Sequence, residues 1–193
     1  MKKFAVLLYV LFSFAMIHAQ DHLAFKGVPI DGTLDEFVAC MEEAGLMYEG
    51  GENGTALLHG DFAGFRNCNI RVETLQSYDI VNHVTVSFEA QNNWKKLCRN
   101  YSSLKEMLTK KYGKCTECVE KFDSQYSPSN DGSRMTLLYL GKCNYYAIWE
   151  MENGIIKLDI VKGSTVLSNG MSRLQYWDKS NTELLQQKVL DDL

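Results

Sequence analysis

Two periodicities divide the chain. A period of two runs through 79–90, where Val84, Val86 and Phe88 alternate with His83, Thr85, Ser87 and Glu89, and through 154–162, where Ile156, Leu158 and Ile160 alternate with Lys157 and Asp159. That pattern predicts antiparallel strands with one buried face and one wet face. A spacing of three and four residues takes over elsewhere. Leu34, Phe37, Val38 and Met41 form one apolar stripe, with Asp35, Glu36, Glu42 and Glu43 turned away. Trp94, Leu97, Cys98, Tyr101, Leu104, Leu108 and Tyr112 form a second, longer stripe. Both predict amphipathic helices. Thr33 and Glu36 stand at capping-box spacing at the start of the first, and Gly45 closes it. The second begins at Asn92 or Asn93 and ends at Gly113, with Lys110 and Lys111 where the helix dipole favours cations.

Between these helices lie a lead-in at 23–30 with Pro29 at its edge, a short strand at 46–49, a turn at 50–54, and strands near 55–65, 68–75 and 79–90. After the second helix the pattern predicts a strand in 114–126, a loop at 127–133, strands at 134–140, 143–151, 154–162 and 170–177, and a last helix at 179–190. Asn153-Gly154 is expected to form a type I′ hairpin, in which both central residues need φ > 0. The segments 55–90 and 134–162 look like two copies of one unit. Each follows a predicted helix and carries a leucine pair (Leu57-Leu58, Leu137-Leu138) followed by Cys-Asn (Cys68-Asn69, Cys143-Asn144). The expected fold is α+β: an antiparallel sheet of about seven to nine strands built from two diverged helix-then-strands repeats, near 28–90 and 92–178, with helices packed on one face.

Residues 1–19 place two lysines before a short apolar run and a small residue, the layout of a secretory signal cleaved after Ala19 or after Gln20. The run is too short for a membrane span, which needs about 20 apolar residues. The chain beyond the signal, about 173 residues, suits a single domain. Removing Lys2 and Lys3 leaves 18 basic against 24 acidic side chains, a net charge of −6. With no basic cluster, that balance argues against nucleic acid as a partner.

The run Val28-Pro29-Ile30-Asp31-Gly32-Thr33, followed by Val38 and Ala44-Gly45, resembles the lead-in, turn and helix that open each repeat of the β-lactamase-inhibitor-protein-like fold, also used by outer-membrane-assembly lipoproteins. The resemblance covers 28–45. It implies helices on one face of an antiparallel sheet whose other face binds proteins. Trp94, Tyr101, Leu104, Leu108 and Lys111-Tyr112-Gly113 are also similar to a pattern met in small exported proteins of gut Bacteroidales, which implies a compartment but no activity.

All six cysteines lie after the signal, and an exported chain meets oxidising conditions. Cys115-Thr116-Glu117-Cys118 has redox spacing, yet it follows a helix where a reactive thiolate wants a helix N-terminus, so a structural role is expected. Zinc would need a second Cys/His pair, which is missing. Cys68 and Cys143, at matching places in the two copies, form a disulfide if a pseudo-dyad brings them together; separate packing is the expectation. His22, His59 and His83 remain for acid–base work, His59 near Asp61, without a nucleophile elbow or His-Glu-x-x-His helix beside them. Asp31, Asp35 and Glu36 lack calcium-loop spacing. No cofactor is expected. Aromatics crowd the later strands: Tyr139, Tyr145, Tyr146, Trp149, Tyr176 and Trp177. Tyr146, Trp149, Tyr176 and Trp177 are the candidate binding residues if they line an open sheet face; otherwise they fill the core under the helices. The expected function is a non-enzymatic, secreted or periplasmic binding protein for a protein or cell-envelope partner. The alternatives are a thiol-redox enzyme using Cys115 and Cys118, and a structural envelope accessory protein.

Overall fold

The computed structural model describes residues 22–75, 78–123, 125–163 and 169–191. The expected signal at 1–19 lies outside them. A small hairpin of β1 (Ala24–Phe25) and β2 (Val28–Pro29) precedes helix α1 (Leu34–Glu43). Four strands come after it: β3 (Met47–Glu52), β4 (Thr55–Phe62), β5 (Phe65–Leu75) and β6 (Tyr78–Ser87). Helix α2 (Trp94–Tyr112), strand β7 (Glu117–Phe122), helix α3 (Asp131–Tyr139) and strands β8 (Cys143–Met151), β9 (Gly154–Lys162) and β10 (Gly170–Asp178) come next, and α4 (Lys179–Asp191) ends the described chain. The eight long strands form one antiparallel sheet in the order β3-β4-β5-β6-β10-β9-β8-β7. Each half is thus a helix and then four strands, with α3 inserted in the second, and the last strand of each half meets the other at the centre.

The helices start where the sequence supplies caps. Thr33 and Glu36 close a reciprocal capping box on α1, and the Asn93 side chain accepts from Lys96 N on α2. The two-residue β3–β4 turn is Asn53-Gly54, with φ of 52° and 73°, the paired positive values of a type I′ hairpin. Asn153-Gly154 does not adopt that turn. Neither residue has positive φ; Gly154 is already the first residue of β9, and Asn153 Nδ2 donates instead to His22 O at 3.1 Å.

The alternating apolar residues of every central strand point to one side. Ala56 and Leu58, Cys68, Ile70 and Val72, Val84 and Val86, Leu174 and Tyr176, Ile156 and Leu158, and Ala147 and Trp149 are all buried there. Helix α1 packs on β3–β6, α2 on β9 and β10, and α3 beside α2 over β8–β10. Gly170 lets α2 and α3 approach the sheet: a Cβ there would collide with Leu97 and Leu138.

Three further expectations change. The segment 134–140, expected as a strand, belongs to α3, which begins inside the expected loop at 127–133. Asn130 caps it by accepting from Ser133 N, while Ser133 Oγ accepts from Asn130 N. The leucine pairs therefore do not correspond, since Leu57-Leu58 lie in a strand and Leu137-Leu138 in a helix. The helices also do not all share a face. Leu185 of α4 stands apart from the main core and lines a cavity with Glu73, His83 and Trp177, whose side chains leave the sheet on the uncovered side.

A buried polar cluster fixes this last helix. Asp178, fully buried, accepts from Leu23 N at 2.7 Å and from Asn181 N at 2.9 Å, and lies 3.1 Å from His22 Nδ1. Asn181 Nδ2 shares its hydrogens among the Ile30 carbonyl, the Asp31 carboxylate and the Val81 carbonyl. One side chain thereby ties α4 to the first hairpin and to β6. Asn181→Ala strands these acceptors away from water and should lower the unfolding free energy by about 2–3 kcal/mol in urea titration at neutral pH. A loss under about 1 kcal/mol would show that the cluster does not hold α4.

Candidate functional site

The uncovered face is made of the residues that alternate with the core. Register sets them in rows across the strands. Arg71 of β5 lies opposite Thr85 of β6, Thr85 opposite Gln175 of β10, and Gln175 opposite Lys157 of β9. In the neighbouring row, Glu73, His83, Trp177 and Ile155 are paired in the same way. Side chains directly opposite on one face of a sheet stand about 5 Å apart. Hence a row of hydrogen-bond donors runs beside a row holding an acid, an imidazole and an indole.

Internal pairs organise the face. Glu73 Oε2 sits 2.8 Å from His83 Nδ1, and the His83 ring stacks on Trp177, with centroids 4.7 Å apart and planes 7° from parallel. On its other side, His83 Nε2 lies 3.2 Å from Thr85 Oγ1 and 3.5 Å from Gln175 Nε2. The hydrogen bond from His83, with the charges of His83 and Arg71, holds the Glu73 carboxyl below the ordinary carboxylate range, outweighing the burial that pushes it up. Arg173 forks onto Asp159, Nε to Oδ1 at 3.0 Å and Nη2 to Oδ2 at 2.7 Å, the bidentate geometry that makes such pairs strong. His59 meets Glu49 at 2.8 Å. Together these strands enclose a depression of about 690 Å³, lined among others by Leu57, Arg71, Thr85, Met171, Arg173 and Gln175.

The four candidate aromatics separate. Tyr146 and Trp177 are on the uncovered face: Tyr146 donates to Glu117 and carries Lys157 over its ring. Trp149 and Tyr176 are nearly fully buried beneath the helices, as pleat parity demands. Trp149 Nε1 donates to Gly113 O at 2.9 Å, meeting the end of α2, and Tyr176 packs against Phe25. Tyr145 joins the covered face against Trp94, and Tyr139 is exposed on α3.

The thiols separate too. Cys115 and Cys118 form a disulfide just past the C-terminal end of α2, where helix carbonyls do not favour a thiolate. Cys68 and Cys143 are unpaired. Strands β6, β10 and β9 stand between their strands, four steps of about 4.8 Å. That separation corrects the idea of a bond between them, which needs Cα atoms within about 7 Å. Burial pushes the Cys143 thiol up to about 12 and raises Cys68 and Cys98, so these three resist forming thiolates at neutral pH.

Arg71, Glu73, Thr85 and Gln175 are absent from the candidates drawn from sequence. Their place on the polar side of their strands is readable from alternation, but their assembly depends on β6 pairing with β10. Acids near the first helix serve the fold: Asp31 accepts from Asn181, and Glu36 completes the α1 cap. No helix among the described residues is long and apolar enough to cross a membrane. Comparison with known proteins gives no match to a family model, a curated protein or a solved structure.

Because the folded value of Glu73 is depressed, its pairing with His83 stabilises the fold above the ordinary carboxyl pKa of about 4.3 and is lost as pH falls through the lower folded value. Wild type should therefore lose stability more steeply than Glu73→Gln as pH drops below about 4.3. Urea midpoints at pH 7, 5, 4 and 3 read this out; parallel curves would mean that the pair does not stabilise the face.

Proposed function

We propose that the protein acts in the periplasm or outside the cell as a non-enzymatic binding protein, meeting a protein or cell-envelope partner with the uncovered face of its sheet. One observation carries the reading. Helices α1 to α3 bury one face, while the other keeps a depression of about 690 Å³ among fixed polar pairs. That volume lies in the range of sites that receive a ligand or a few partner side chains. Sites on strands held by a packed core are stiffer than sites on loops, which lowers the entropy cost of binding.

The leader-like 1–19 segment supports export. The likeness of 28–45 to the β-lactamase-inhibitor-protein-like opening points the same way, since that fold meets proteins through its exposed sheet face. We read the two halves as diverged copies matched by strand order, β3 with β7, β4 with β8, β5 with β9 and β6 with β10. The aromatic contribution to the surface falls to Tyr146 and Trp177.

Affinity capture from the native envelope tests the face and not merely stickiness. The processed wild-type chain and Cys118→Ser should retain the same partner, whereas Thr85→Trp, a bulky uncharged side chain in the lining of the depression, should reduce capture at least about ten-fold. Thr85→Trp must show wild-type thermal unfolding for the result to count. Equal capture by Thr85→Trp would place the partner elsewhere, and loss confined to Cys118→Ser would favour thiol chemistry.

A further inference from the structure

We infer that the depression receives an acidic peptide segment of the partner, with the Arg71 guanidinium holding its carboxylate. The inference rests on the uncovered-face reading above and names the chemistry of the occupant.

Hydrogen-bond accounting carries it. The carboxylates around the depression already face a partner: Glu49 beside His59, Glu73 with His83, and Asp159 with Arg173 and, at 3.7 Å, with Lys157. Two cations that line it have no such engagement. The side chains of Arg71 and Lys162 make no hydrogen bond or ion pair among the described residues. Arg71 feels the charge of Glu73 but does not bond to it. An arginine fork offers five N–H groups, and its preferred mate is a planar carboxylate held by two of them. Thr85 and Gln175, the next two members of the same row, are turned to His83 Nε2, which leaves Arg71 as the open fork of the row. A cationic guest would find its acceptors already taken.

The rest of the lining separates a peptide from other anions. Leu57, 42% exposed, and Met171 and Val161 give apolar contact within a few residues of the donors. Asn69, Ser87 and Gln175 are uncharged groups able to meet backbone amides. Two such cations are too few to hold a polyanionic nucleic acid or a sulfated glycan, whose binding scales with the number of charges neutralised. A short segment with an acidic side chain beside an apolar one satisfies both parts of the lining.

The probe is an acetylated, amidated tetraglutamate peptide, titrated into the processed protein and followed by two-dimensional amide NMR, with tetralysine and a heparin-derived tetrasaccharide as parallel arms. Tetraglutamate should give saturable shifts centred on Arg71, Thr85 and Gln175, weakened by salt, and tetralysine should give none there. Arg71→Gln should weaken binding at least about ten-fold, while Lys121→Gln, on the outermost strand β7, should bind as wild type. Amide spectra of both variants verify that the fold is kept. Absence of saturable shifts, equal binding by Arg71→Gln, equal response to tetralysine, or tighter binding of the tetrasaccharide would each overturn the inference. If Thr85→Trp still reduces partner capture while tetraglutamate fails to bind, the face remains the docking surface and only its acidic occupant is lost.

Discussion

Everything on the uncovered face depends on the pairing of β6 with β10. Five residue pairs, Arg173 with Ser87 through Trp177 with His83, join the two halves of the sheet. These contacts close a very long loop, since the paired strands lie some ninety residues apart in sequence, and the chain entropy they oppose grows only slowly with that length. What repays it is the apolar side of the same strands: Val84, Val86, Leu174 and Tyr176 are buried on the face opposite Thr85, Gln175 and Trp177. Register is locked by that burial, because a slip of one residue by either strand would turn its two buried side chains toward water. The donor row is therefore positioned by a core it does not touch.

This explains what the sequence revealed and what it hid. Strands β8 and β9 and helix α2 were legible to within a residue or two, because their periodicities extend over many residues and their caps are of ordinary type. Helix α3 was not. Met135, Leu137 and Leu138 form a short apolar run compatible with either period, and the deciding signal was the Asn130 and Ser133 pair, three residues apart, which reads equally well as loop composition. The site was legible by half. Alternation puts His83 on a polar face, but the sequence reading names both Tyr176 and Trp177 for an open face that only one of two neighbours can reach, and no local pattern fixes which strand lies next to which. Trp149 and Tyr176 show the same gap: each alternates in step with its strand, and the face to which that parity assigns it depends on where the helices dock.

The helices divide the work of covering the sheet. Helices α1, α2 and α3 pack over the apolar face, whereas α4 turns from the end of β10 to the corner beside Trp177 and His83. Its direction is set by Asp178 and Asn181 at its first turn. Burying a carboxyl group there is costly unless its oxygens are bonded, and both oxygens of Asp178 are: one by the backbone of Leu23, the other by that of Asn181 with His22 alongside. The beginning of the described chain and its end are held by the same carboxylate. The wall that α4 gives to the Trp177 corner is thus coupled to the segment at His22 and Leu23, 155 or more positions away in sequence.

The two edges of the sheet bear on where a partner can meet it. An exposed edge strand offers unpaired backbone groups to any passing strand, and proteins blunt such edges with bulges, charges and short lengths. At one end β3 carries a register shift between Tyr48 and Gly50, and Gly50 has a φ of 127° that breaks the regular ladder. At the other, β7 has six residues, three of them charged, and Cys118 within it is tied back to Cys115 by the disulfide. Both edges are thus poor templates for strand addition. The face between them is different in kind: its side chains are held in fixed pairs by Glu73 with His83 and by Asp159 with Arg173, and each pair that satisfies itself reduces the groups that must be desolvated without compensation when a partner arrives. On the proposed reading, what remains available is the Arg71 fork, so discrimination on this face would fall to an open donor set among side chains already matched.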